Sequence, residues 1–239
     1  MTKISVIVTV KNDKRLIDLI RALEKQTFKD FELLIADSSE KRIFNESTTL
    51  DLKYYHTKPM TIAESLMFLA KKANSEIIAI TESDCVPHEK WLEDLVSEYE
   101  DKKTIIVGAQ DIVSPRVEII SFASLLVPKA AFKIKMNKNL KVGEDTDWFM
   151  SLKEKGFKFK KINKALVTHY KDPIKRIFRS FEYAKSHAYI YVKHKKEERI
   201  IKSMGFQLIQ AFYSLVTVFS LMFFWFYYKI RFLLKKESR

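Results

Sequence analysis

Apolar residues follow two different periods along the first third of the chain. Ile4-Ser5-Val6-Ile7-Val8-Thr9-Val10 is a β-rich run that breaks into the polar Lys11-Asn12-Asp13. Leu16, Leu19, Ile20 and Leu23 then recur at helical spacing, which predicts a helix with one apolar face. After Gln26-Thr27-Phe28 a second run, Phe31-Glu32-Leu33-Leu34-Ile35-Ala36, stops at Asp37-Ser38-Ser39. Strand, helix, strand with short connections predicts parallel pairing and a right-handed crossover. Thr9 and Asp37, at the ends of these strands, then share one sheet edge. A third run, Ile77-Ile78-Ala79-Ile80-Thr81, reads as a buried strand and ends on the same edge at Glu82-Ser83-Asp84-Cys85-Val86-Pro87.

Buried strands of this kind release functional groups at their carboxyl ends. In extended chain, residues i and i+2 point to the same side. Glu82 and Asp84 can therefore converge on one hard cation, which takes oxygen ligands and also holds phosphate oxygens. A solvated acidic turn capping a strand is the plainer alternative for these residues alone. With only four glycines (Gly108, Gly143, Gly156 and Gly205) the chain has no Gly-rich phosphate loop, which argues against P-loop and dinucleotide-binding fingerprints.

In these segments the chain resembles the family 2 glycosyltransferases, with their glycosyltransferase-A fold. The resemblance is carried by Ile4 to Asn12, by Gln26-Thr27-Phe28-Lys29-Asp30-Phe31-Glu32, by Asp37, and by Glu82 to Pro87 with Trp91-Leu92. It continues through Gly143-Glu144-Asp145-Thr146-Asp147 and, after Lys155-Gly156-Phe157, Ala165-Leu166-Val167-Thr168-His169. It spans roughly residues 3 to 170 and implies an α/β fold, a mostly parallel central sheet flanked by helices. It also implies roles. Thr9 and Asp37 would hold nucleobase and ribose. Asp84, with Glu82, would face the ribose and a diphosphate bridged by a divalent metal, Mg²⁺ or Mn²⁺. Asp145 would be the general base on the acceptor hydroxyl. Glu144 would orient Asp145 or the acceptor, or exchange roles with it. His169 stands where some members place a metal or diphosphate ligand; a core or surface histidine is the alternative.

The chain also departs from the family pattern. Glu82 replaces the usual Asp, and only Asp37 remains of a commonly longer acidic strand end. An Ala-Arg-Asn-x-Gly element is replaced near Ser65-Leu66-Met67-Phe68-Leu69, and Ser151 stands where an Arg is common. The Gln-x-x-Arg-Trp element of processive synthases is absent, which favours one sugar per encounter. No second carboxylate is placed as a covalent nucleophile, so single displacement with inversion is the expected course. Two other classes share these features: a catalytically degenerate nucleotide-sugar-binding protein, and a nucleotidylyltransferase. The latter would carry a Gly-rich loop after the first strand, where Val10-Lys11-Asn12-Asp13-Lys14-Arg15 has no glycine.

Composition sharpens this picture at the far end. The 239 residues suffice for one α/β domain and an appendage, the single Cys85 fits a reducing compartment, and no amino-terminal signal peptide is expected. Much of the net charge of +13 gathers in residues 171–202, at Lys175, Arg176, Arg179, Lys185, Lys193, Lys195, Lys196 and Arg199 among others. Ile174, Ile177, Phe178, Phe181, Ala184, Ala188 and Tyr191 recur there at helical spacing, predicting a basic amphipathic segment suited to an anionic membrane surface. Ser203 to Tyr228 then contains no charged residue and is long enough to cross a bilayer core, with Trp225, Tyr227 and Tyr228 at its end and a basic tail over residues 230–239.

The expected organisation is a catalytic domain over 1–170, an interfacial segment over 171–202 and a transmembrane or membrane-embedded helix over 203–229. The apolar run favours membrane over nucleic acid as the partner of the basic charge. Nucleotide sugars being cytosolic, the catalytic domain is expected on the cytoplasmic face, with a lipid-linked acceptor. Gln207 and Gln210 within the apolar run could pair with a second helix in a homo-oligomer.

Overall fold

A computed structural model describes residues 4–111, 121–170 and 180–196. The expected amphipathic face at Ile174, Ile177 and Phe178 and the expected membrane helix over 203–229 lie outside the described residues. No helix among the described residues is long and apolar enough to cross a membrane.

The two periods read from the sequence become β1 (Ile4–Val10), α1 (Leu16–Glu24) and β2 (Phe31–Asp37). β1 pairs parallel to β2 with Ile4 opposite Phe31 and Val10 opposite Asp37. β3 (Asp51–His56) adds beyond β2, and β4 (Ile77–Glu82) pairs parallel to β1 on its other side, with Thr9 opposite Glu82. The register therefore puts Thr9, Asp37 and Glu82 at one edge, as the strand order required.

Beyond β4 the sheet changes character. β8 (Leu125–Pro128) runs antiparallel to both β4 and β6 (Thr104–Val107), and β9 (Lys158–Lys161) is parallel to β6. The sheet order is β3-β2-β1-β4-β8-β6-β9. A second, three-stranded sheet consists of β5 (Cys85–Pro87), β10 (Val167–His169) and β7 (Gln110–Asp111).

Both faces of the main sheet are covered, which is why its central strands are nearly continuous apolar runs. On one side Val6, Val8, Leu33 and Ile35 pack with Leu16, Leu19 and Leu23 of α1 and with Trp91 and Leu95 of α3 (Trp91–Ser97). On the other, Ile7, Leu34, Ile78 and Ile80 pack with Leu66 and Leu69 of α2 (Ile62–Lys72) and with Trp148 and Leu152 of α4 (Glu144–Glu154). Each such fully buried aliphatic side chain contributes about 1.5–3 kcal/mol relative to exposure. α2 starts at a capping box: Thr61 Oγ1 accepts from Glu64 N at 3.2 Å, and Thr61 N donates to Glu64 Oε2 at 3.0 Å.

Opposite the functional edge, the amino ends of the strands close on Glu32, which is fully buried. Its carboxylate accepts from Ser5 Oγ at 2.5 Å, Lys53 Nζ at 2.5 Å, Asn74 N at 2.7 Å and Asn74 Nδ2 at 2.9 Å. Burial alone would raise its pKa, but these donors outweigh it and hold the carboxyl below its usual value.

The chain forms two compact units, Met1–Ser186 and His187–Arg239, so the division falls inside the segment expected to be interfacial. A fifth helix, α5 (Ser180–Lys193), spans this division. Ala184 and Ala188, expected on its apolar face, are exposed. Ser186, Ile190 and His194 are buried instead, spaced one turn apart.

Candidate active site

The last residue of β4, Glu82, and Asp84 in the turn to β5 stand at the carboxyl edge of the sheet. What brings a third ligand to them is the antiparallel pairing of β5 with β10, which sets His169 opposite Cys85. Tyr170 N donates to Asp84 O at 3.0 Å and fixes the chain just beyond. His169 Nε2 then lies 3.4 Å from Asp84 Oδ1 and 3.8 Å from Glu82 Oε2. Ligand atoms of Glu82, Asp84, Cys85 and His169 all fall within 4.8 Å of one another.

The histidine is oriented from behind. Its Nδ1 lies 3.3 Å from Gln110 Oε1, while Gln110 Nε2 donates to Ser121 Oγ at 2.8 Å. That second bond sets the amide so that its oxygen faces the ring. A neutral imidazole donating through Nδ1 presents the Nε2 lone pair to the two carboxylates, the orientation a metal-ligating histidine takes. Two carboxylates and an imidazole directed at one point fit a divalent cation; oxygen ligands suit Mg²⁺ and Mn²⁺, and the nitrogen tilts the set toward a transition ion. Cys85, also buried, is the fourth side chain whose ligand atom falls in this cluster. Burial above all, then the charges of Glu82 and Asp84, pushes its thiol well above the usual range, and the S–H lies 4.0 Å from Asp84 Oδ1.

Several residues hold this constellation without touching it. Gln26 is fully buried; its Nε2 donates to His88 O at 2.8 Å and its Oε1 accepts from Leu92 N at 3.0 Å. Thr27 N donates to Glu89 O at 2.8 Å. The Gln-Thr pair thus pins the segment that follows β5. The approach to β10 is pinned by Ala165, whose N donates to Asp94 Oδ2 at 3.1 Å and whose O accepts from Ser124 Oγ at 3.0 Å. Ser124 Oγ in turn accepts from Trp91 Nε1 at 2.9 Å. Gly108 passes so close that an added Cβ would lie 2.1 Å from Ser124 Oγ and 2.7 Å from Ala165 O. Only glycine fits there.

Thr9 is half-buried at the end of β1, beside Glu82. Asp37 is fully buried, and its carboxylate is engaged by its own loop and by Tyr54 of β3. It accepts from Ser39 N at 2.9 Å, Ile43 N at 2.9 Å and Tyr54 Oη at 2.5 Å. Burial would raise its pKa; these donors hold it below the usual value. Burial, then the bond to Asp37, raises that of Tyr54. In this conformation the Asp37 side chain shapes the loop over residues 38–43.

The acidic pair opens α4. Gly143 takes a left-handed φ of 77° at the helix start, and Glu144, Asp145 and Asp147 occupy the first turn, where the helix dipole favours negative charge. Glu144 and Asp147 are buried, whereas Asp145 is half-buried, with Oδ1 accepting from Thr146 N at 2.6 Å. Of the pair, Asp145 is the more accessible.

The sheet order and the carboxylates at its switch between parallel and antiparallel strands define the glycosyltransferase-A fold. The model of Glycosyl transferase family 2 matches residues 5–166, well over half of the chain, and the chain belongs to that family. Solved structures share the fold at low identity. S. aureus TarS in complex with UDP has a TM-score of 0.61 at 19% identity, over 80% of this chain and 65% of that one. The mannosyltransferase PcManGT from Pyrobaculum calidifontis, in complex with GDP-Man and Mn²⁺, has a TM-score of 0.65 at 15% identity, over 81% and 64%. GalNAc-T7 with UDP, GalNAc and Mn²⁺ has 0.59 at 14%, over 72% and 44%. The chain thus spans less than two thirds of the length of each of these proteins. Among curated proteins no sequence matches.

Proposed function

We propose that the chain transfers a sugar from a nucleoside-diphosphate donor to a lipid-linked acceptor at a membrane surface, with inversion at the anomeric carbon. The observation that carries this reading is the convergence of Glu82, Asp84 and His169 on one point beside the end of β1. Structural neighbours with this fold bind UDP, GDP-Man and Mn²⁺, which supports a nucleotide sugar and a divalent ion, Mn²⁺ or Mg²⁺, at the corresponding place.

Asp84 and His169, with Glu82, would hold the ion, which when bound neutralises the charge that develops on the leaving diphosphate. Thr9, at the end of β1, would face the nucleoside. Asp145 would accept the proton of the acceptor hydroxyl as it attacks, and Glu144, buried behind it, would position it. With one base and no nucleophilic carboxylate assigned, displacement proceeds in one step. Either a polyprenyl phosphate or a polyprenyl-phosphate-linked glycan has the chemistry of the acceptor.

The membrane part of the proposal rests on sequence. The uncharged run from Ser203 to Tyr228, preceded by a basic segment, would hold the acidic site at the headgroup layer with the catalytic domain on the cytoplasmic face. There a lipid-borne acceptor is concentrated and its orientation restricted, which lowers the entropic cost of encounter.

The test is transfer of labelled sugar from UDP- and GDP-sugars by the full chain in vesicles containing polyprenyl phosphate, with Mn²⁺ or with EDTA. Metal-dependent label in the lipid fraction is expected. Equal transfer to a water-soluble acceptor by chain without vesicles would contradict the lipid assignment, and transfer undiminished by EDTA would contradict the metal.

A further inference from the structure

The metal-site carboxylate has a cationic neighbour that is held in place with unusual care. Arg15 follows the loop after β1, and its guanidinium is clamped by Asp13: Nε donates to Oδ1 at 2.9 Å and Nη2 to Oδ2 at 2.7 Å. Asp13 Oδ1 also accepts from Arg15 N at 3.1 Å, so carboxylate and backbone turn form one unit. Nη1 donates to Tyr170 O at 2.6 Å, and Nη2 stands 3.7 Å from Asp84 Oδ2. Tyr170 N closes the ring by donating to Asp84 O. Three segments far apart in sequence therefore meet at one guanidinium, which keeps 39% of its side-chain surface exposed.

The geometry points to Arg15 as the protein's own cation for the donor diphosphate, acting beside the metal rather than through it. This deepens, and rests on, the reading of Glu82, Asp84 and His169 as a metal–diphosphate site. Charge balance favours a further donor-bearing cation beside the metal. A divalent ion is already offset by the carboxylates of Glu82 and Asp84, so a diphosphate, whose negative charge grows as the sugar leaves, needs further positive charge. A guanidinium carries that charge permanently, and with its Nε–Nη2 fork held by Asp13 it keeps further Nη N–H donors for phosphate oxygens. The bonds to Asp13 and Tyr170 engage three of its five N–H groups, leaving the edge nearest Asp84 to turn to a phosphate once a metal occupies that carboxylate. A surface ion pair serving only to join loops would contribute little; here the clamp keeps a long side chain from wandering and lowers the cost of ordering it on the ligand.

The test uses the full chain and its Arg15→Gln and Arg15→Lys variants, titrated calorimetrically with UDP, GDP, uridine and guanosine in Mn²⁺, and with Mn²⁺ alone followed by electron paramagnetic resonance. Arg15→Gln is expected to weaken the diphosphate that wild type binds by roughly 10- to 100-fold, the worth of a hydrogen bond to a charged group. It should leave the matching nucleoside unchanged and Mn²⁺ affinity equal or tighter, since a competing cation has gone. Arg15→Lys should fall between. Unchanged diphosphate affinity, or equal losses for nucleoside, diphosphate and Mn²⁺, would overturn the assignment and leave Arg15 a structural tie.

The two readings fail differently. If wild type binds neither diphosphate in Mn²⁺, the metal–diphosphate site and this inference fall together. If wild type binds one in an Asp84-dependent manner and Arg15→Gln binds it as tightly, only Arg15 is misassigned. Should Arg15→Gln not fold, Asp13→Asn keeps the cation but opens the clamp, and the same selective loss for the diphosphate is expected; no such loss would count against the inference.

Discussion

Glu144 and Asp145 are neighbours in one helical turn, yet they differ in burial. Asp145 is the accessible carboxylate, and Asp145→Asn is expected to retain nucleotide binding while losing about 10²–10⁴-fold in turnover, the usual worth of a positioned general base. Glu144→Gln should be the milder variant; an inactive Glu144→Gln beside an active Asp145→Asn in a steady-state assay would reverse the pair. Glu32 shows the same logic applied to stability. Its folded pKa lies below the unfolded value of 4.5, so its contribution is complete above that value and is lost as pH falls through the lower folded one. Urea midpoints measured from pH 7 downward should therefore drop for wild type below about that pH, whereas Glu32→Gln should start lower and fall less; parallel curves would show that Glu32 carries no such linkage. Asp37, whose nucleoside contact is implied by the family resemblance, also works within the chain: the following Ser-Ser offers the backbone donor of an Asx turn, and the structure uses it.

Among elements, β1, α1, β2 and β4 were readable because a buried parallel strand and a one-faced helix each write a distinct period into the chain. The convergence of Glu82 and Asp84 is read from their i, i+2 spacing, whereas His169 joins them only through family resemblance, since no local pattern relates residue 169 to residue 84. That placement depends on β5 pairing with β10, strands of three residues each that no periodicity can announce. Gln110 and Arg15 escaped notice for the same reason: their roles exist only after distant segments are brought together. The one available signal was Gly108, a glycine closing an apolar run where no turn type demanded it. It marks the point at which β6 passes Ser124 and Ala165 on the way to β7. Gly108→Ala is expected to destabilise the fold by about 1–3 kcal/mol through overpacking, read from chemical denaturation. Because Ala165 leads into β10, the variant should also lose Mn²⁺-dependent nucleotide affinity; a variant with unchanged stability would mean that this crossing is looser than the structure shows.

At the scale of the whole molecule, a family 2 catalytic domain is joined to a strongly basic continuation, and the two make separate demands. The proposal gives the domain a cation at its acidic edge and gives the continuation an anionic surface; with a charge of +13, such docking is predicted to be sensitive to ionic strength. The account stands first on the acidic edge. Its most direct test is calorimetric titration of UDP and GDP into the full chain and into Asp84→Asn, each with Mn²⁺ and with EDTA. Mn²⁺ is predicted to tighten binding of at least one nucleotide by wild type, and Asp84→Asn to abolish that increment while remaining folded. The same Mn²⁺-dependent increment in Asp84→Asn would contradict the account.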